Sequence, residues 1–246
     1  LKVEKASTMS APADGFDFID QLTHELVESA AAKKAHKTRA ALEIAVAQIL
    51  AADGYHALKV ADICARAGVG HGTFYRYWKD TESATYDTLT HFMAAIRQNR
   101  PRPERSADLY ARILAGHEYY IEVYRRNFGL MRCLFQLADQ VPKFAELDAA
   151  QNLQLAKRVV SAFERSGEMG PWPVHADEKL VTALSCITAV DGSLRMIFNN
   201  AELESIDRQR LAATFSNLWF RAFCGKDADA VGLHLVRRSE IGQPEE

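Results

Sequence analysis

The chain has 246 residues, 48% hydrophobic and 25% charged, with a formal net charge of −2. These proportions belong to an ordinary globular protein with one large domain or a small one plus a larger one, and they exclude collagen-like, low-complexity and strongly basic chains. No apolar run approaches the roughly 20 residues of a membrane span, and the N-terminal stretch lacks the basic-then-apolar order of a secretory signal. A cytoplasmic protein without membrane contact is expected. Its four cysteines (Cys64, Cys133, Cys186, Cys224) are scattered with no CxxC pair, which predicts free buried thiols.

Residues 1–14 are polar and small and are expected to be disordered. Phe16, Ile19, Leu22, Thr23 and Leu26 share one face of a possible helix from about Phe16 to Lys34, so 1–32 reads as a flexible extension, helical in part. Between Lys37 and Asp53, Leu42, Ala45, Val46, Ile49 and Leu50 fall on one helical stripe. Gly54 follows and can end that helix at positive φ.

Next comes VADICARAGVGHGTFYRYWK, from Val60 to Lys79. Its apolar positions Ile63, Ala67, Val69, Phe74 and Trp78 cannot all be buried by one helix, but two short helices meeting at Gly68 can bury them. The spacing predicts helices at Ala61–Ala67 and His71–Tyr77. That is a helix-turn-helix, whose second helix offers its N-terminal residues to a major groove. The outward positions His71, Gly72, Thr73, Tyr75, Arg76 and Tyr77 are hydrogen-bonding or small, with almost no acid among them. From Lys33 to Glu82, eight Lys/Arg stand against five Asp/Glu, so this stretch carries +3 and the remainder −5. Such asymmetry suits a protein that meets phosphates at one end.

A longer helix is expected at Thr81–Gln98, broken by Pro101 and Pro103 within the charged segment PRPERS. Beyond it the pattern is helical throughout, at 107–128, 129–138, 143–166, 177–200 and 207–223, and strand-like alternation is absent. The expected fold is all-α: an N-terminal three-helix helix-turn-helix domain and a larger helical domain. Its parts are the extension at 1–32, the helix-turn-helix domain with its connecting helix at 33–98, the larger domain at 99–225, and a tail at 226–246.

Residues 38–84, about one fifth of the chain, resemble the DNA-binding domain of the tetracycline-repressor (TetR) family of bacterial regulators. The resemblance runs through TRAALEIAVAQILAADGY and VADICARAGVGHGTFYRYWKDTES, in particular the AGV turn, the small residue before Thr73, the pair Phe74–Tyr75, and Trp78. It implies base or near-base contacts from His71, Thr73, Tyr75 and Arg76, with Tyr75 and Tyr77 also reaching phosphates. Side-chain chemistry agrees: Arg76 can pair with guanine O6/N7, the Thr73 methyl can meet a thymine methyl, and Tyr hydroxyls donate to phosphate oxygens. The chain departs from the family in three places. Lys59–Val60 stand where a capping Thr or Ser is usual, so Lys59 can supply charge but no cap. Thr81 stands where a basic residue is common, with Lys79 as its substitute. Gly70 and Gly72 leave the second short helix poorly capped.

The resemblance further implies a homodimer on double-stranded DNA at a near-palindromic operator, released by a small-molecule effector. In the family the last two long helices pair with those of a second copy. Leu184, Ile187, Leu194, Phe215, Leu218 and Trp219 are the candidates for that interface. The aromatic-rich run from His117 to Phe135 suggests an effector pocket, mostly apolar with a few polar groups, with His117, Tyr120, Tyr124, Met131 and Phe135 as its candidate lining. A plain bundle core is the competing reading of the same stripe.

Other chemistries find little support. The glycines of GVGHG follow a helical stretch rather than a strand, which argues against a dinucleotide fingerprint. His117–Glu118 opens like HExxH, but the fifth residue is Ile121 rather than a second His. No GxSxG occurs, and Ser185, Ser193 and Asp191 have no positioned base. Neither metal, cofactor nor enzymatic activity is expected. The alternative is a helical small-molecule-binding protein or protein-interaction adaptor without sequence-specific DNA binding.

Overall fold

The computed structural model describes residues 16–29, 33–102, 108–203 and 205–225, and among them every regular element is helical. The expected disordered start at 1–14, the tail at 226–246 and Pro103 lie outside the described residues. The helices are α1 (Phe18–Glu28), α2 (Lys34–Ala52), α3 (Val60–Arg66), α4 (His71–Phe74), α5 (Thr81–Gln98), α6 (Leu109–Arg126), α7 (Phe128–Gln140), α8 (Pro142–Ser166), α9 (Ala176–Phe198) and α10 (Arg208–Cys224).

α2 is the hub of the N-terminal half. The sequence shows one apolar stripe, yet Leu42, Glu43, Ile44, Ala45, Val46, Ala47, Ile49 and Leu50 are all buried. The reason is that α2 is packed on several sides at once, by α1, α3, α5 and α7. Gly54, at φ +79, turns the chain out of α2, with its N–H bonded to Ile49 O at 3.2 Å. The buried Glu43 is not left alone: His91 Nδ1 lies 2.8 Å from its Oε1 and Arg39 3.7 Å from its Oε2. That carboxylate also pulls the His91 imidazole above the ordinary histidine range.

α1 is a docked element rather than a loose one. Of the expected face, Phe16, Ile19, Leu22 and Leu26 pack inward while Thr23 is exposed, and Phe18, which that spacing omits, is fully buried against Phe92 and His91. Asn127, in the corner between α6 and α7, fixes its start. The Asn127 side-chain Oδ1 accepts from Phe18 N at 2.8 Å, while its Nδ2 donates to Phe16 O at 2.8 Å and Val123 O at 2.9 Å. The first of these satisfies an N–H group that the start of a helix leaves open.

In the C-terminal half α6 packs on α10, and α8 on both α7 and α9. Pro142 opens α8 at a position where its missing N–H costs nothing. Glu122 joins α6 to α10: it binds Arg125 and Arg126 on its own helix and Arg208 across the gap at 3.0 Å. Those guanidiniums hold its carboxyl at about 2. Two cores result. The larger runs continuously from Phe18 and Phe74 to Leu211 and Phe215. The smaller gathers Phe163, Ile187, Phe220 and Phe223 around α8, α9 and α10, with the Phe163 and Phe223 rings stacked at 4.2 Å.

The tightest joint lies where α7 begins. A Cβ at Gly129 would collide with the backbone carbonyl of Ala51 near the end of α2. Gly129→Ala is therefore expected to lower stability by about 1–3 kcal/mol, the usual cost of overpacking, read as a fall in Tm. An unchanged Tm would mean that the two helices separate at no cost.

Candidate nucleic-acid interface and internal cavity

The turn between α3 and α4 forms because Gly68 sits at φ +66, which lets Val69 N reach Cys64 O at 3.0 Å. α4 is regular only from His71 to Phe74. The sequence predicts a helix to Tyr77; the chain instead continues in tighter bonds, Arg76 N to Thr73 O at 3.3 Å and Tyr77 N to Phe74 O at 2.9 Å. Gly70, at the N-cap, offers no side-chain cap, and Gly72 lowers helix propensity within the single turn.

Two aromatic anchors hold this turn to the body. Phe74 and Trp78 are buried with ring centroids 5.6 Å apart. The Trp78 indole N–H donates to Asp87 Oδ2 at 2.9 Å, and the Arg39 guanidinium lies 5.4 Å over its ring. With that face turned inward, His71, Gly72, Tyr75 and Arg76 are exposed and Thr73 is half-buried. The Tyr75 ring lies 5.6 Å from that of His71. Arg76 meets no carboxylate among the described residues. Lys59, at the N-cap of α3, makes no capping bond and is exposed. Lys79 is 82% exposed, 3.7 Å from Asp80. Tyr77 differs from the rest: its hydroxyl donates to Ala35 O at 2.9 Å and so ties the turn to the start of α2. That proton reaches a phosphate only if the bond to Ala35 breaks.

A cavity of about 830 Å³ lies among α5, α6, α8, α9 and α10. Of the expected lining, His117 and Tyr120 face it. Tyr124, Met131 and Phe135 do not: Tyr124 and Met131 are buried in the larger core, and Phe135 stacks on Tyr124. Periodicity places all five on apolar faces but cannot separate a cavity wall from a packed interior. His117 is buried, with Nδ1 2.9 Å from Ser216 Oγ and its ring 4.8 Å from Trp219. Burial, and secondarily the Arg100 charge, push it down to about 3, so it stays neutral. The Tyr120 hydroxyl donates to Asp191 Oδ1 at 2.7 Å. Burial pushes Asp191 up to about 6, with Asp148 adding to the rise and the Tyr120 bond opposing it.

Sequence reasoning missed the basic side of this cavity, where Arg97, Arg100, Arg112 and Arg158 meet. Arg97 lies in the last turn of α5 and Arg100 just beyond its end, and sequence reasoning assigns a role to neither. The available signal was a charge set into an otherwise apolar face, Arg112 beside Leu109 and Ile113, and Arg158 beside Leu155 and Val159.

The six expected interface residues divide. Ile187, Leu194 and Phe215 are buried within the protomer. Trp219 lines the cavity and donates to Cys186 O at 3.3 Å, and Leu184 packs on the smaller core. Leu218 is 54% exposed. Exposed apolar surface on these two helices comes instead from Val181 and Met196 of α9, beside Leu218 of α10. α9 has the length and apolar composition of a membrane span, but it packs on α8 and α10 and carries Asp191 on its inner side. Among the described residues, no group of three His, Cys, Asp or Glu could hold a metal ion.

Comparison with known proteins follows this geometry. Residues 45–83 match the family described as "Bacterial regulatory proteins, tetR family". No curated protein matches the chain. Among solved structures, a tetR-family transcriptional regulator from Streptomyces coelicolor superposes with a TM-score of 0.66 at 14% identity, covering 83% of this chain and 96% of its own. The fatty acid degradation regulator FadR from Bacillus halodurans gives 0.58 at 16%, covering 74% and 94%. A putative transcriptional regulator from Pseudomonas aeruginosa PAO1 gives 0.60 at 15%, covering 84% and 95%. At such identities the likeness is one of fold.

The poor capping of α4 has a measurable consequence. A Cβ at Gly72 meets nothing within 4 Å, so Gly72→Ala is expected to stabilise the protein by about 0.5–1 kcal/mol, the glycine penalty in a helix. A lowered Tm would show that α4 is not helical in the free protein.

Proposed function

We propose that this chain, which carries the TetR-family DNA-binding domain on a fold shared with its regulators, is a ligand-responsive repressor that binds a near-palindromic operator as a homodimer. The observation that carries the reading is the outward face of α4 and the turn after it. His71, Tyr75 and Arg76 are exposed, with Thr73 half-buried among them, on a segment anchored by Phe74 and Trp78. Arg76 serves base readout, and Tyr75, Lys59 and Lys79 serve phosphates. Tyr77 acts chiefly as a brace through Ala35.

Dimerisation uses the exposed apolar residues of α9 and α10. Val181, Met196 and Leu218 leave on the monomer a surface that a second copy would cover. Two recognition turns then sit about 34–36 Å apart on successive major-groove faces. The effector, a small molecule with a largely apolar body, occupies the cavity. α5 is the route between sites: its early residues Ala84, Thr85 and Leu89 pack in the core near the helix-turn-helix, while Met93, Ile96 and Arg97 line the cavity. An effector lowers operator affinity by binding more tightly to the conformation whose recognition spacing misfits DNA.

The test is selection from a randomised duplex library at moderate salt. Wild-type protein is expected to enrich a near-palindrome. Tyr75→Phe weakens binding to all selected sites, whereas Arg76→Ala costs about 1–3 kcal/mol at one base position and relaxes preference there. Unchanged affinity and selectivity in both variants would remove the assignment of the recognition face.

For the interface, the double variant Met196→Glu, Leu218→Glu is expected to sediment as a folded monomer with lost operator affinity. A persistent dimer would place the interface elsewhere.

A further inference from the structure

We propose that the cavity takes an amphiphile with an anionic head, held by Arg100, Arg112 and Arg158, and an apolar body lying along Ile113, Leu155 and Trp219. The inference rests on the effector reading and gives the effector its chemical class.

Charge imbalance is the first argument. Seven Lys or Arg side chains line the cavity against a single carboxylate, Asp191. That carboxylate is already occupied, accepting the Tyr120 hydroxyl at 2.7 Å. Among the described residues no carboxylate pairs with Arg100, Arg112 or Arg158, and Arg97 donates to the neutral side chain of Gln151. Arg100, Arg112 and Arg158 all keep exposed surface at the cavity mouth, gathered there with no acidic partner among the described residues. Burial, together with the like charges of Arg158 and Arg112, pulls Arg100 below the usual arginine range. Like charges gathered at one mouth repel one another, and an anion placed among them relieves that repulsion.

The backbone makes room for this arrangement. A Cβ at Gly116 would stand 2.9 Å from Arg100 Nη2, so that nitrogen approaches α6 where a side chain is missing. Gly116 and Tyr120 are one turn apart on α6, about 6 Å of rise. The basic pole and the Tyr120–Asp191 pole are therefore separate. Asp191 repels a second anion from its own end, which orients the ligand with its head toward Arg100. Between and beside the poles, Ile113, Leu155 and Trp219 give the wall an apolar face. A volume of about 830 Å³ falls within the range of small-molecule sites, about 300–1,000 Å³.

Calorimetry on the full chain, without DNA, tests this with four probes sharing a twelve-carbon tail, each below its micellar concentration. They are dodecanoate, dodecyl phosphate, dodecan-1-ol and dodecyltrimethylammonium. One anion per chain is expected, bound at least tenfold tighter than the alcohol, with the cation weakest. The tighter of the two anions identifies the head as carboxylate or phosphate. Shortening the tail weakens binding about fourfold per methylene. Arg158→Gln and Arg100→Gln each reduce anion affinity about tenfold or more and leave the alcohol unaffected. If Arg100→Gln fails to fold, Arg158→Gln alone decides, because Arg158 is exposed.

Equal affinity for anion and alcohol, or equal loss of both in Arg158→Gln, overturns the anionic head while the effector reading stands. Binding of many molecules per chain, or of none, overturns the inference outright. Operator release is scored separately: tight anion binding without release keeps this inference and removes the effector reading.

Discussion

α7 begins directly against the backbone of α2, at a point where only glycine fits. Gly129 and the Ala51 carbonyl meet with no side chain between them. Two residues earlier, Asn127 binds the backbone around Phe18 in both directions. The segment that interrupts α6 and α7 thus fastens both α1 and α2. Because of this joint the larger core runs without interruption from Trp78 to Phe215. A flexible hinge would let the two halves move independently. A packed, close joint instead permits a small number of discrete arrangements, which is what a binding event needs if it is to be felt at a distance.

α5 gives that joint its direction. It opens with a capping box between Asp80 and Ser83, directly after the recognition turn, and ends at the basic wall of the cavity. Along the way Asp87 holds the Trp78 indole and Phe92 packs on Phe18. One helix therefore touches the anchor of the DNA face, the docked N-terminal helix and the cavity. A ligand that neutralises Arg100 acts at the C-terminal end of this helix. There, uncompensated positive charge is already favoured by the helix dipole, so an anion there changes more than the local balance.

The all-helical class and the two-helix motif were legible because helical periodicity and the fixed AGV spacing are local properties. The limits of α5 follow from equally local signals, with Asp80 and Thr81 at one end and Pro101 beyond the other. What escaped was set by tertiary placement. α4 is shorter than the pattern suggests because two glycines weaken a helix that its neighbours must then hold. Tyr77 has the residue type of a phosphate ligand, yet its hydroxyl is taken by Ala35, more than forty positions earlier in sequence. Met131 and Phe135 share the apolar character of His117 and Tyr120 but lie behind the cavity wall. Ile187 and Leu194 look identical in sequence to interface residues, and only the fold shows that their own protomer covers them. The arginines of the cavity, from three different helices, converge only once the bundle is closed.

The smaller core has a further role. Leu109, Val159, Phe163 and Ile187 belong to it and also form part of the cavity wall, so the residues that shape the interior also hold α8, α9 and α10 together. Exchanging one of them alters the contour and weakens the bundle at the same time. Arg112 and Arg158 stand at the mouth with exposed surface and carry no such burden. In a lineage under selection for new signals, head-group preference can drift freely at the mouth, while the outline of the interior is held back by the need to stay folded.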